Sequence, residues 1–326
     1  MATRTHGLTL DWLIGAKLVV ANGSLVECSE THNSDLFWAL RGAGSSFGVV
    51  AELKFDTFPT QRELTRFTLV TKWDKGTAAA GLATLQDFVF NAPRELNMMF
   101  IINSNGQQFV EGFFFGSQQR LDDLIAPLLG DTGARLARLQ SLSWIEAQEY
   151  FAYGEPLDMT NGYNVTDRFY SKSAVTSKLA EAQLHQLSLH LFENFHNTSW
   201  PADTKWAYMM DLYGGPQSAV ARSNALSTSF AHRDKFLVHQ FSLRSTEEYV
   251  ARYGVPLMTQ FSDSLLRNLD DDDWGLYVNY VDPQIDAAKA PLLYYGSNLA
   301  KLESIKARVD GQDVFWNPHG VRPGFG

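Results

Sequence analysis

The 326-residue sequence contains one cysteine, Cys28. It therefore has no internal disulfide and no cysteine-based metal site. Cys28 sits in an apolar, strand-like stretch and reads as a buried, inert thiol. Long apolar runs are also missing. Stretches such as residues 18–21 and 113–115 fall far short of the about 20 residues that a membrane span needs, so no transmembrane helix is expected. The first six residues, Met1-Ala2-Thr3-Arg4-Thr5-His6, lack the apolar core of a signal peptide. Basic stripes are absent too: 27 Lys and Arg stand against 36 Asp and Glu, for a net charge of -9. A nucleic-acid backbone would find no electrostatic footprint here.

What is present is apolar and aromatic. With 45% hydrophobic residues, 8 Trp, 12 Tyr and 22 Phe, the chain can build a large core in one large domain or two ordinary ones, with aromatic faces to spare for a small-molecule cleft. Three sequons, at Asn22, Asn164 and Asn197, are compatible with the secretory pathway. Asn22-Gly23 has a better local explanation as the tight turn of a hairpin joining residues 17–20 to 25–28. A short capped helix follows at residues 33–42, then a glycine-rich turn, then a strand at 49–55. From about residue 60 onward strand and helix patterns alternate. Helices are predicted at 78–90, 118–129, 177–195, 257–269 and 299–306 from their three-to-four apolar spacing. Strands are predicted at 97–103, 109–115, 169–173, 206–213 and 236–243. Pattern alone leaves parallel and antiparallel pairing open.

Several motifs fail on context. Gly44-Ser45-Ser46-Phe47-Gly48 has the spacing of a hydrolase nucleophile elbow, but that elbow joins a strand to a following helix, and here a helix precedes and a strand follows. The same order excludes a dinucleotide loop at Gly42-Ala43-Gly44, although the turn could still let backbone approach a cofactor. His185, His190 and His196 lack zinc-protease spacing, and Asp270-Asp271-Asp272-Asp273 lacks the alternation of a calcium loop. No metal is assigned. Leu276-Tyr277-Val278-Asn279-Tyr280-Val281-Asp282 is an aromatic and amide cluster that reads either as cleft lining or as ordinary sheet packing.

Taken in order along the chain, some of these pieces form a recognisable set. His6 to Asp11, Asp35 to Gly42 and Phe47-Gly48-Val49-Val50 resemble the second half of a vanillyl-alcohol-oxidase-type (PCMH-type) flavin domain. Tyr277 to Tyr280, Tyr294 to Asn298, Lys306, Asp310, Phe315 and Asn317-Pro318 resemble the C-terminal segment of berberine bridge enzyme-like FAD-linked oxidases. Within that family the middle of the chain is most similar to fungal glucooligosaccharide and chitooligosaccharide oxidases, through residues 206–215 and His232-Arg233-Asp234 to Gln240-Phe241.

The resemblance implies an α+β fold: residues 1–59 as the C-terminal part of the FAD-binding domain, 60–285 as a substrate domain with an antiparallel sheet backed by helices, and 286–326 returning to the flavin domain. The implied cofactor is FAD and the implied reaction is oxidation of a reducing-end hemiacetal to a lactone, with oxygen reduced to hydrogen peroxide. Tyr280 would be the base and Asp211 its hydrogen-bonded partner. A neutral phenol with a pKa near 10 needs somewhere to pass its proton, and a nearby carboxylate meets that need. Gln240, Met209 and Tyr208 would contact substrate. Asn279, Asn298, Gly7, Gly48, Val49 and Val50 would approach the flavin. The resemblance further implies a secreted monomer acting on an oligosaccharide or other small alcohol, with no nucleic-acid or membrane partner.

Departures from the family pattern qualify this reading. Met209, and an isoleucine on the strand of Phe100, Ile101 and Ile102, stand where sugar oxidases carry polar contacts, which questions a gluco-oligosaccharide preference. The family's pyrophosphate loop, and its flavin-attaching His and Cys, have no counterpart here. The chain is therefore expected to be N-terminally truncated and to hold FAD weakly or not at all by itself. Two alternatives follow: a non-catalytic carbohydrate-binding remnant, or a flavin oxidase of a non-sugar alcohol.

Overall fold

The computed structural model describes residues 2–60, 63–152, 157, 168–195, 200–201 and 203–324. The sequons at Asn164 and Asn197, and His196, lie outside them. Every strand pairing is antiparallel, which settles the question the sequence pattern left open. Strands β1 (Leu13–Val19), β2 (Leu25–Ser29) and β3 (Val49–Phe55) form a three-stranded sheet in the order β2-β1-β3. The predicted turn closes the β1–β2 hairpin, with Gly23 at φ 80.

Eight further strands form one large sheet: β4 (Leu64–Val70), β5 (Leu96–Asn103), β6 (Gln108–Phe114), β7 (Arg135–Leu142), β8 (Phe169–Thr176), β9 (Lys205–Leu212), β10 (Leu237–Arg244) and β11 (Trp274–Gly275). Their order is β11-β8-β10-β9-β5-β6-β4-β7. One face of this sheet is sealed by helices Ala78–Asn91, Gln118–Thr132, Glu181–Leu189 and Val255–Leu266. Side chains alternate across a strand. On β9, Trp206, Tyr208, Met210 and Leu212 therefore enter the helix-backed core, while Met209 and Asp211 face the other way. Phe67, Phe100 and Phe241 are fully buried in the same core. Each such ring contributes about 1.5–3 kcal/mol relative to exposure.

The helix predicted over 177–195 starts late, at Glu181. The Gln86 side chain captures the backbone of Leu179 on both sides, accepting from its N–H at 2.8 Å and donating to its carbonyl at 2.9 Å. That pairing holds the preceding segment extended.

A second core lies between the small sheet and the C-terminal segment. Leu18, Phe37 and Phe47 pack with Leu276, Tyr294, Tyr295, Leu302 and Ile305. Its polar lock is Lys306, on helix Leu299–Val309, which pairs with Asp310 and donates to the Ser46 carbonyl at 2.8 Å. Both side chains of the pair are fully buried. Cys28 is buried in this core, and burial raises its thiol pKa. Strand β3 differs from every other strand: all seven of its residues are exposed, including Val49, Val50, Leu53 and Phe55.

Candidate active site

Strand register assembles the site on the face of the large sheet opposite those four helices. Across β6, β5, β9 and β10 the pairings run Glu111 to Met99, Met99 to Asp211 and Asp211 to Val238. Directly opposed residues share a face, so two carboxylates lie on one row with Met99 between them. Both line a cavity of about 250 Å³, together with Tyr213, Tyr277 and Tyr280.

The two carboxylates have different environments. Glu111 is committed to Arg66 Nε at 2.6 Å and Thr68 Oγ1 at 2.9 Å, a buried ion pair stacked beneath the Tyr150 ring. Asp211 is set among Met99, Val238 and Tyr213, and burial pushes its pKa above the usual carboxylate range. A carboxylate in that setting gains by accepting a proton.

Tyr280 comes from the loop after β11, and each part of that loop is tied down. The Tyr277 N–H donates to Ser173 Oγ on β8 at 3.1 Å, and the Tyr280 N–H donates to the Tyr277 carbonyl at 2.9 Å. The Tyr277 and Tyr280 rings meet edge to face at 5.1 Å. Two residues further on, the buried Asp282 pairs with Lys172 at 2.6 Å and accepts from the Tyr170 hydroxyl at 2.9 Å. Its own N–H donates to the Tyr294 hydroxyl at 2.9 Å.

The histidines near the sheet are spent elsewhere. His239 is buried on the helix-backed face between Thr176 Oγ1 and the Tyr208 hydroxyl, and burial lowers its pKa to about 3. His232 is buried against Gly275 with its pKa lowered to about 4, also by burial. Both rings are neutral imidazoles at neutral pH.

Beside the cavity runs an open groove of about 1110 Å³ bounded by the small sheet, the glycine-rich turn and the Tyr277 loop. Leu40, Val50, Leu53, Phe55 and Val278 give it apolar walls, and Gly7, Leu8, Thr9, Gly42, Gly44 and Ser45 complete its lining. Gly42 adopts φ 152, and a Cβ there would lie 2.5 Å from the Phe230 N, so only glycine lets the chain pass. Arg41 also lines the groove, and its buried Nε has no hydrogen-bond partner among the described residues. A flat, mostly apolar heteroaromatic ring with polar edges, such as a flavin, fits this lining.

Of the residues expected from sequence, Tyr280 and Asp211 both line the cavity, while Gly7, Val50 and Asn279 border the groove. Met209 and Gln240 oppose each other one row further along the same face. Three of the others serve neighbouring backbone or solvent. Gly48 permits close approach to the Val19 carbonyl, 2.8 Å from where its Cβ would stand. Val49 is exposed, and the Asn298 amide donates to the Ser229 carbonyl at 3.2 Å.

Tyr208 requires a correction. It is 1% exposed on the helix-backed face and hydrogen-bonded to His239, so it is a core residue and not a substrate contact. Arg41 and Val278 gave no sequence signal for the groove, whereas the Gly42-Ala43-Gly44 turn reads as a place where backbone can approach a cofactor, and Gly42 and Gly44 line it. Glu111 gave no sequence signal beyond a charge inside an apolar strand. Among the described residues there is no metal-competent cluster of three His, Cys, Asp or Glu, and no helix long and apolar enough to cross a membrane.

A family model described as "Berberine and berberine like" matches residues 276–322. Over 99% of its length the chain is 37% identical to the FAD-linked oxidoreductase dpmaF of Metarhizium anisopliae and to the glucooligosaccharide oxidase of Sarocladium strictum. It spans 63% and 65% of those two relatives, respectively. The solved structure of a xylooligosaccharide oxidase from Myceliophthora thermophila C1, in complex with xylobiose, superposes with a TM-score of 0.94 at 36% identity, covering 100% of this chain and 69% of that one.

Proposed function

Since the chain belongs to the berberine bridge enzyme-like FAD-linked oxidases, we propose that its cavity oxidises a CH–OH carbon of an alcohol substrate to C=O. The observation that carries this reading is that Tyr280 and Asp211 line one cavity, which brings a phenol and a carboxylate whose pKa burial has raised into the same space. Removing a hydride from a carbinol leaves a positively polarised carbon, and a base must take the hydroxyl proton at the same time. Tyr280 is that base in our reading, and Asp211 takes the phenolic proton. Glu111 is neutralised by Arg66 and stays outside the transfer. The residues bordering the groove, Gly7, Val50, Arg41 and Asn279, would hold the cofactor. A bound flavin would supply the two-electron acceptor and pass those electrons to oxygen as hydrogen peroxide.

In an oligosaccharide, the substrate class named for the relatives, the oxidised carbon is the reducing-end hemiacetal and the product is a lactone. A second reading, an alcohol on an apolar skeleton, is favoured by Ile101 and Met209, which pair across β5 and β9 beside the cavity. The test is to supply FAD and candidate alcohols to the purified protein and measure peroxide and product together. We expect one peroxide per carbonyl formed. Peroxide without a carbonyl product, or no turnover of any CH–OH compound at saturating FAD, would refute the proposal.

A further inference from the structure

A cavity that makes hydrogen peroxide exposes its own lining to that oxidant first. Among the described residues, Met98, Met210 and Met258 are at most 5% exposed and pack in the helix-backed core. Met98 borders the cavity, but its side chain belongs to that core. Met99 is half-buried and lines the cavity, whereas Met209, also half-buried, lies outside the lining. Met99 stands directly opposite Asp211 on β9 and Glu111 on β6, and the Cβ atoms of such pairs are about 4.5–5.5 Å apart. The other polar groups at the cavity are committed. Glu111 is held by Arg66 and Thr68, the Arg4 guanidinium donates to the Val89 and Ala92 carbonyls, and the Tyr213 hydroxyl donates to the His232 carbonyl. Of the two carboxyls facing Met99, Asp211 is the one that burial shifts toward its protonated form, so it is the one that can donate. A thioether is only a weak acceptor for such a donor.

We propose that Met99 is a peroxide-sensitive modification site: its Sδ takes one oxygen atom from hydrogen peroxide, and the sulfoxide accepts a hydrogen bond from the Asp211 carboxyl and silences the cavity. This inference rests on the oxidase reading, which makes peroxide the product. In the step the peroxide O–O bond breaks and an S–O bond forms. Sulfur loses two electrons, and the second peroxide oxygen leaves as water with both protons. The product is polar where the thioether was not. Its oxygen favours the protonated carboxyl, the form that cannot receive the phenolic proton of Tyr280. Reduction of the sulfoxide restores the thioether, so the modification limits turnover reversibly as peroxide accumulates.

The test exposes the purified chain to added hydrogen peroxide, without flavin or turnover, and follows each methionine by peptide mass spectrometry. Met99 is expected to gain one oxygen about tenfold or more faster than Met210 and Met258. The Asp211 carboxyl is then titrated by NMR of isotope-labelled aspartate, assigned with Asp211→Asn, before and after oxidation. Oxidation is expected to raise its proton affinity by about threefold to tenfold, the worth of one neutral hydrogen bond. Met99→Leu, which nearly conserves volume, should abolish that rise, and methionine sulfoxide reductase should reverse it in the wild type. Met99 oxidation no faster than that of Met210 and Met258 overturns the inference while leaving the oxidase reading intact. Oxidation of Met99 that leaves Asp211 unmoved also overturns it, as does a rise that persists in Met99→Leu. Should that variant fail to fold, reversal by the reductase decides. Failure of the oxidase reading is a separate result, the absence of peroxide from any CH–OH compound at saturating FAD, and it would remove the source of the oxidant.

Discussion

Asp211 decides the chemistry at the residue scale, and its environment makes a thermodynamic prediction. Its carboxyl pKa is raised from 3.8 by burial, so the folded state holds that proton more tightly than the unfolded chain. Stability linked to Asp211 is therefore fully present below the unfolded value and declines as pH rises through the folded one. Asp211→Asn should raise the melting temperature at pH 7, with a gain that shrinks toward zero below about pH 4, as thermal melts across pH would show. A variant less stable than wild type at pH 7 would mean that Asp211 is held ionised by partners. Tyr208 illustrates how neighbours of such a residue can be misassigned. It and Met209 are consecutive on a strand, so they cannot both face the same side. Period-two alternation, applied strictly, excludes one of the two from the substrate face, and the aspartate's own position at 211 selects Met209 as the one that stays.

Elements decide how well the pair is positioned. The loop bearing Tyr280 depends on Asp282, whose partners Tyr170 and Lys172 come from β8. Asp282→Ala would leave Lys172 buried without its counter-ion, a change that costs about 3–5 kcal/mol in comparable buried pairs. Urea unfolding should show that loss, while Lys172→Met/Asp282→Leu should recover much of it.

Most strands were legible in the sequence because one face is core and the other is not. β5, β6, β8, β9 and β10 each lie within three residues of the predicted ends. β4 and β7 were not singled out, for identifiable reasons. On β4, the buried Arg66 and Thr65 interrupt the apolar alternation. On β7 a register shift opposite Thr68 and Leu69 makes Ala137 an extra residue, so Leu136, Leu139 and Leu142 recur every three positions and mimic a helix. The site's two partners are 69 positions apart in sequence, and only the tie of the Tyr277 loop to Ser173 on β8 brings Tyr280 to the cavity that Asp211 lines.

For the whole molecule, the exposed strand β3 is the dominant surface feature. An edge strand with apolar side chains open to solvent invites pairing with another chain. The purified chain should therefore self-associate at micromolar concentration, and Leu53→Lys should shift it toward monomer in light scattering. A wild-type chain that stays monomeric would show that this face is covered.

The central claim is that Tyr280 takes the carbinol proton while hydride leaves. Its most direct measurement is the anaerobic rate of flavin bleaching by substrate at saturating FAD, for wild type and Tyr280→Phe. The account predicts a rate lower by about 10²–10⁴-fold in the variant, with substrate affinity changed by less than about threefold. Bleaching by Tyr280→Phe at the wild-type rate would contradict it.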